Sequence, residues 1–259
     1  MPSTTPPADS LDERPRAARP ASPAAPATLA ESVAGSPLPG FPALAHLIGA
    51  ECFAQLGAAA TARAAEQGVE PGAVVHHLMV QRDAPRPAAV SSRLAADVAA
   101  LERAIEEVTR RAPESAREPR LLEPELVTLP MVQWERAALV TLRAFRLIPV
   151  AYRLESYVRR LHSGGSRPPP PPRREEQAVA VYALPALLRG HGALTPAAWW
   201  QGLAAGEGRL LATLALGAPL GEATRDAVTR GAVASPAAAR ALITAWVREG
   251  MFASVHVAG

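Results

Sequence analysis

Apolar residues recur at helical spacing through the first half of the chain. Residues 42–67 carry an apolar stripe that predicts one long helix ending at Gly68, and residues 72–81 predict a second, shorter helix. The clearest pattern covers residues 88–111, where apolar positions step by four and three and line one face. The residues on that face are Leu94, Val98, Leu101, Ile105 and Val108. Glu102 and Glu106 are predicted to lie on other, polar faces.

The apolar pattern is less regular between residues 112 and 161. Pro113 and Pro119 are expected to bracket a loop. Residues 130–161 are apolar but interrupted at Pro149, which predicts a short helix or strand followed by a helix over about 150–161.

The pattern changes after residue 174. Residues 178–182 alternate like a strand, and residues 205–216 and 219–230 predict helices. Thr195-Pro196 and Ser235-Pro236 are both typical helix starts, with an N-cap hydroxyl followed by proline. The last helix is expected to end at Gly250, followed by a closing strand over 251–257. Strand, three helices and strand is the order of a winged-helix-like module.

A Gly/Ser stretch followed by five consecutive prolines, Pro168 to Pro172, separates these two patterns. Such a proline run forms an extended polyproline II segment of about 15 Å. We therefore predict a mostly helical α+β protein with a helical domain over 38–162, a linker over 163–174 and a small winged-helix-like domain over 175–259. Residues 1–37 are rich in Pro, Ala and Ser and are expected to form a disordered tail.

Composition narrows the functional classes only slightly. The 27 basic residues are all arginine, but the formal net charge is only +3, which gives weak support for a nucleic-acid partner. Cys52 is the single cysteine, so the chain has no internal disulfide and no cysteine-based metal cluster. The sequence shows no secretory signal and no apolar run that would span a membrane, and a cytoplasmic protein is expected.

Residue pairs that resemble catalytic groups have simpler interpretations. His76 and His77 are adjacent on a helix and point about 100° apart, so they do not chelate one ion without a distant third ligand. Glu106 and Glu107 are interpreted as a solvated helix face, and Cys52 as a small buried apolar residue. The sequence contains no phosphate-binding loop and no nucleophile elbow. A non-enzymatic protein without a cofactor or a metal is therefore expected.

Two features favour binding to another macromolecule. The strand over 178–182 is expected at a sheet edge, where Val179, Val181 and Tyr182 would pair with an incoming peptide. Trp199 and Trp200 lie at a predicted helix start, and they either cover the core or form an exposed aromatic contact. An alternative is DNA binding by the helix that begins at Pro236, with Arg240 and Thr244 as the residues that reach base edges.

The order of several motifs resembles a family of partner proteins, named for a DNA-binding domain, that are encoded beside multinuclear non-haem iron-dependent oxidative (MNIO) enzymes. The similarity covers roughly residues 38–259 and rests on three blocks. These are Phe41-Pro-Ala-Leu44 through Phe53, Leu94 through Ala104, and Leu210 through Phe252. Cys52 stands where the family usually has an aromatic residue.

The resemblance implies a non-catalytic adaptor. Such a protein binds a ribosomally made precursor peptide and presents it to the iron enzyme, with which it forms a heterodimer. The main alternative is a winged-helix transcriptional regulator, and membrane association is not expected.

Overall fold

The structure is a computed structural model that describes residue 36 and residues 38–81, 84–163, 169–184 and 198–257. It combines several helices with two small antiparallel sheets. Apart from Ser36, the predicted N-terminal tail lies outside the described residues. Within the described ranges, no helix has both the length and the hydrophobicity of a membrane-spanning segment.

The first described helices are α1 (Pro42–Ile48), α2 (Ala50–Gln67) and α3 (Pro71–Val80). The single helix predicted over 42–67 is wrong, because Gly49 adopts φ 81° and ψ 159° and separates α1 from α2. Gly68 ends α2 in the left-handed conformation, with φ 65°, as the sequence predicts.

Helix α4 (Ser92–Ser115) is the longest described helix and lies between the other helices and a sheet. Its N-cap is Ser91, whose side chain accepts a hydrogen bond from the Leu94 N–H at 3.1 Å. The loop predicted to begin at Pro113 begins later, because Pro113 lies in the last turn of α4. A proline in a helix interior removes one backbone hydrogen bond, and near the end few bonds remain to be disturbed.

The next elements are α5 (Glu123–Val127), α6 (Met131–Arg136), β1 (Ala137–Thr141), β2 (Phe145–Tyr152) and α7 (Glu155–His162). The helix predicted to begin near residue 150 starts at Glu155. Pro149 lies inside β2 and does not interrupt it.

Strands β3 (Arg174–Ala183) and β4 (Ala198–Ala204) form a three-stranded antiparallel sheet with β2, in the order β2-β3-β4. The predicted strand over 178–182 is therefore present. Residues 195–197 lie outside the described residues, but Ala198 to Ala204 form a strand where a helix was predicted. The pairing of β2 with β3 also crosses the proline-rich segment, so the predicted boundary at 163–174 does not separate two independent sheets.

The C-terminal elements are α8 (Ala205–Ala215), α9 (Leu220–Thr229), α10 (Pro236–Arg248) and β5 (Phe252–Val257). Ser235 caps α10 as predicted, because its hydroxyl accepts from the Ala238 N–H at 3.1 Å. The order strand, three helices, strand is present. However, β5 pairs with β1, which precedes the proline-rich segment, so the predicted C-terminal module shares its closing strand with the first half of the chain.

The three-stranded sheet lies between two apolar cores. Successive residues of β3 point to opposite faces. Val179 and Val181 join the core formed with α1 to α4, while Ala180 and Tyr182 join the core formed with α8, α10 and β5. The apolar run of β3 follows from burial on both faces.

Candidate functional site

The three residues predicted to pair with a peptide lie in the middle of the sheet. Val179 and Val181 are fully buried, Tyr182 is 1% exposed, and β3 pairs with β2 on one side and β4 on the other. The prediction that this strand is an edge is wrong, because the segment read as a helix start forms β4. The backbone of β3 is therefore not available for strand addition.

Trp199 and Trp200 are neighbours in β4, paired with Tyr182 and Val181. Trp200 is half-buried and packs against the α1–α4 core, whereas Trp199 is 38% exposed. The Arg159 guanidinium lies 4.3 Å from the centroid of Trp199 and 5.5 Å from that of Trp200. The two rings thus bind a cation from α7, and part of Trp199 remains exposed.

The outer edge of β4 is covered by side chains of α7. Glu155 accepts a hydrogen bond from the Gly202 N–H at 2.9 Å, and Arg159 donates to the Trp200 carbonyl at 2.7 Å. Glu155 and Arg159 also pair with each other at 3.0 Å. Because one side chain accepts and the other donates, the pair occupies hydrogen-bonding positions that an added strand would use.

The outer edge of β2 is open by comparison. The Ala183 N–H donates to the Ala144 carbonyl, and antiparallel pairing then directs every second residue of β2 toward β3. Leu147 and Pro149 fall on the alternate positions, whose backbone groups point away from β3. Pro149 suits this position because it has no N–H to donate. Among the described residues, the outward N–H and C=O of Leu147 have no hydrogen-bond partner.

A groove of about 350 Å³ adjoins this edge, between β2, β3 and α8. Its inner surface is mainly apolar and is formed by Leu147, Pro149, Ala178, Ala205, Gly208 and Ala212. Arg93, Glu176 and Arg209 also line it. Gly208 lets α8 approach the sheet closely, since a Cβ there would collide with the Cβ of Ala178. The groove therefore offers apolar space beside unpaired backbone groups.

Asp97 sets one end of the open edge. It is 3% exposed, accepts from the Ala151 N–H at 2.7 Å and pairs with Arg93 at 3.0 Å. Burial raises the pKa of Asp97, and the Ala151 hydrogen bond and the Arg93 charge oppose that rise. The Asp97 carboxylate therefore connects α4 to β2. It accepts from the N–H of Ala151, which is the first outward N–H of β2 after Pro149.

Glu102 is a buried charged residue that sequence reasoning missed. It is 0% exposed and accepts from the backbone N–H groups of Ala43 at 2.6 Å and Leu44 at 2.9 Å. His162 Nε2 lies 3.0 Å from the same carboxylate. Burial raises the pKa of Glu102, while His162 and the two backbone donors oppose the rise. The sequence contained one signal of this contact. Phe41, the N-cap residue of α1, has no side chain that could accept from the first N–H groups of the helix, so another residue has to do so.

The other polar candidates are not brought together into one site. The His76 Nδ1 lies 3.1 Å from the Ala96 carbonyl oxygen, and His77 is exposed. No group of three or more His, Cys, Asp or Glu side chains in the described part of the chain is arranged to hold a metal. Cys52 is half-buried and packs against the α1–α4 core.

Glu106 and Glu107 are partly buried and form ion pairs, so their face is less solvated than predicted. Glu107 accepts two hydrogen bonds from Arg146 and also pairs with Arg111. The Arg146 hydrogen bonds hold the pKa of Glu107 below its ordinary value.

Arg240 and Thr244, the proposed base-reading residues, lie on α10 and are half-buried. The Arg240 guanidinium lies 4.6 Å from the centroid of Trp134 and donates to the Met131 Sδ at 2.8 Å. Arg240 is therefore packed against α6, and its guanidinium is already engaged within the protein.

Comparison with known proteins yields no relative. No protein-family model matches the chain, no curated protein matches it, and no solved structure matches it.

Proposed function

We propose that this protein is a non-catalytic adaptor that binds an extended peptide segment along the outer edge of β2. The observation that carries the proposal is the outward N–H and C=O of Leu147, which have no partner within the described residues and lie beside an apolar groove. An incoming strand would satisfy both groups, as in β-strand addition to other sheet edges.

The groove supplies the selectivity that backbone pairing lacks. Side chains of an added strand alternate between the two faces of the sheet, so every second peptide residue would point toward α8. Ala205, Gly208 and Ala212 leave room there for apolar side chains. Pro149 offers a carbonyl but no N–H, so the pairing is interrupted on the protein side after Leu147. A short segment is therefore the expected ligand.

The resemblance to partner proteins of MNIO enzymes supports a more specific form of the proposal. The bound segment would belong to a ribosomally made precursor peptide, and a partner iron-dependent oxidative enzyme would modify it. Holding peptide and enzyme on one adaptor turns a bimolecular encounter into a nearly intramolecular one.

Peptide binding is tested with peptides selected from a random phage-displayed library against the immobilised full-length protein. Leu147→Pro removes the outward N–H and leaves the β2–β3 hydrogen bonds in place, and Ala212→Phe fills the groove. Each is expected to weaken the anisotropy-measured affinity by about tenfold. The matched control is Ala237→Phe, the same substitution at an exposed position of α10, which should bind normally.

Amide hydrogen exchange distinguishes strand addition from binding elsewhere. The Leu147 amide should exchange quickly in the free protein and become protected when the peptide is bound. A selected peptide that binds both variants with wild-type affinity and leaves this amide unprotected would refute the proposed site. The adaptor role has a separate test, because it predicts that an adjacent gene encodes an iron enzyme and that this enzyme co-purifies with the protein at moderate salt.

DNA binding is the less supported alternative, because Arg240 stacks on Trp134. It predicts retardation of duplex DNA that falls steeply with salt and is lost in Arg240→Ala.

A further inference from the structure

A second groove lies between α7 and the proline-rich segment and is lined by prolines and arginines. Its volume is about 400 Å³, and the residues from 169 to 172, all proline, form one wall. Ser156 and Tyr157 lie on the opposite wall, and three arginines, Arg153, Arg160 and Arg173, also line the groove. None of the lining residues in the described part of the chain carries a carboxylate.

The positive charge of this groove is poorly neutralised. Arg153 approaches Glu175 only to 3.9 Å, and both side chains are more than half exposed. The guanidinium groups of Arg160 and Arg173 form no ion pair with any carboxylate of the described residues, unlike those of Arg153 and Arg159. By contrast, Arg248 makes two hydrogen bonds of 2.6 Å to Glu123. The groove therefore presents guanidinium donors that an external anion would satisfy.

The walls of the groove are held in place by contacts within the protein. The backbone N–H of Arg153 donates to the Arg173 carbonyl at 2.9 Å, and this hydrogen bond holds the backbones of the two arginines side by side. Tyr157 is 4% exposed, and its hydroxyl lies 3.2 Å from the His46 Nδ1. Pro169 is buried, and proline has a restricted backbone, so this wall loses little entropy when a ligand binds.

We propose that this groove binds an acidic polypeptide segment, with Asp or Glu carboxylates paired to Arg160 and Arg173. The planar guanidinium matches a carboxylate through two parallel hydrogen bonds. The proline wall has no N–H to offer and presents apolar rings, which suit the methylene groups of Glu side chains. This binding site is separate from the β2 edge and does not depend on the function proposed above.

The chemistry favours a peptide over a nucleic acid. The chain has a net charge of only +3, and two exposed glutamates, Glu175 and Glu176, follow the groove after Arg174. Nucleic-acid binding generally uses an extended stripe of basic residues along a phosphate backbone. Here the arginines are gathered in one small groove beside an apolar wall.

The test uses a fluorescein-labelled hexaglutamate peptide and the full-length protein in fluorescence anisotropy at low salt. Wild-type protein is expected to bind, with an affinity that falls as salt is added. Arg160→Ala and Arg173→Ala should each weaken binding about threefold, and the double variant about tenfold. Thermal unfolding of each variant verifies that it remains folded.

Arg174→Ala is the matched control, since it removes the same charge from the neighbouring residue, which does not line the groove. It should bind within about twofold of wild type. The proposal is overturned if Arg174→Ala weakens binding as much as Arg173→Ala, or if wild-type protein does not bind at low salt. Tighter binding of a labelled hexathymidylate, lost in the same two variants, would also overturn it in favour of a nucleic-acid ligand.

Discussion

Replacement of Glu102 should destabilise the protein more than any change on the exposed face of the same helix. Its carboxylate is completely buried and accepts hydrogen bonds from Ala43 and Leu44, the first backbone N–H groups of α1 that can be capped. No side chain near Phe41 replaces it. Glu102 therefore caps α1 from a helix almost 60 residues away, and this cap joins α1 to α4.

The magnitude follows from the groups left without partners. Glu102→Ala leaves two buried backbone N–H groups and the Nε2 of His162 without their partner. The free energy of unfolding should fall by about 3–5 kcal/mol. Glu102→Gln retains the shape but places an NH₂ group against at least one backbone N–H. Two donors then face each other, and the expected cost is about 2–3 kcal/mol. His162→Ala should cost less, because the His162 side chain is 23% exposed and water can replace it.

Urea unfolding followed by tryptophan fluorescence measures these differences as shifts in the midpoint. Glu106→Gln is the control, one turn further along α4, with a side chain that is 33% exposed and pairs with Arg103 and Arg110, which are 24% and 48% exposed. It should cost about 0.5 kcal/mol or less. If Glu102→Gln unfolds at the wild-type midpoint, or if Glu106→Gln is equally destabilising, the interpretation of Glu102 as a buried cap is wrong.

Three further predictions concern stability. Glu107→Gln should lower the melting temperature at pH 7. Arg146 lowers the folded-state pKa of Glu107, so its stabilisation is present above the ordinary value of 4.5 and is lost as the pH falls through the lowered pKa. A difference from wild type that stays undiminished as the pH falls far below 4.5 would contradict this. Gly206→Ala should cost about 1–3 kcal/mol in urea unfolding, because a Cβ there meets the backbone carbonyl of Ala232; an unchanged midpoint would show that α8 shifts freely. Ser235→Ala should cost about 1 kcal/mol through loss of the α10 cap, and Ser235→Asp should retain most of that stability unless the cap contributes nothing.

The sequence predicts helix ends correctly where they depend only on residues within one turn of each other. Gly68 ends α2 and Ser235 begins α10, as predicted, because a left-handed glycine and an N-cap hydroxyl act on neighbouring backbone groups. The helical periodicity of α4 was also correct. The error at Gly49 arose from the same local reasoning, since an uninterrupted apolar stripe gives no sign that the backbone turns between α1 and α2.

The candidate binding edge was predicted on the wrong strand. The alternation at residues 178–182 correctly predicts a strand, but whether that strand is central or at an edge depends on β2 and β4, which are distant in sequence. The sequence pattern predicts a helix at the adjacent tryptophans, and this prediction conceals β4. Pro149 predicts an interruption, although a proline is compatible with an edge strand whose N–H position faces outward.

The amino-acid order alone specifies where most helices begin and end and which of their faces are apolar, because these properties depend on residues within a few positions of each other. The tertiary structure decides which polar groups are satisfied. It buries Glu102 beneath α1 and covers the edge of β4 with Glu155 and Arg159. It also leaves the outward N–H and C=O of Leu147 beside a groove, without a partner among the described residues. The physical reason is that hydrogen-bond satisfaction is set by groups that meet only after the chain has folded.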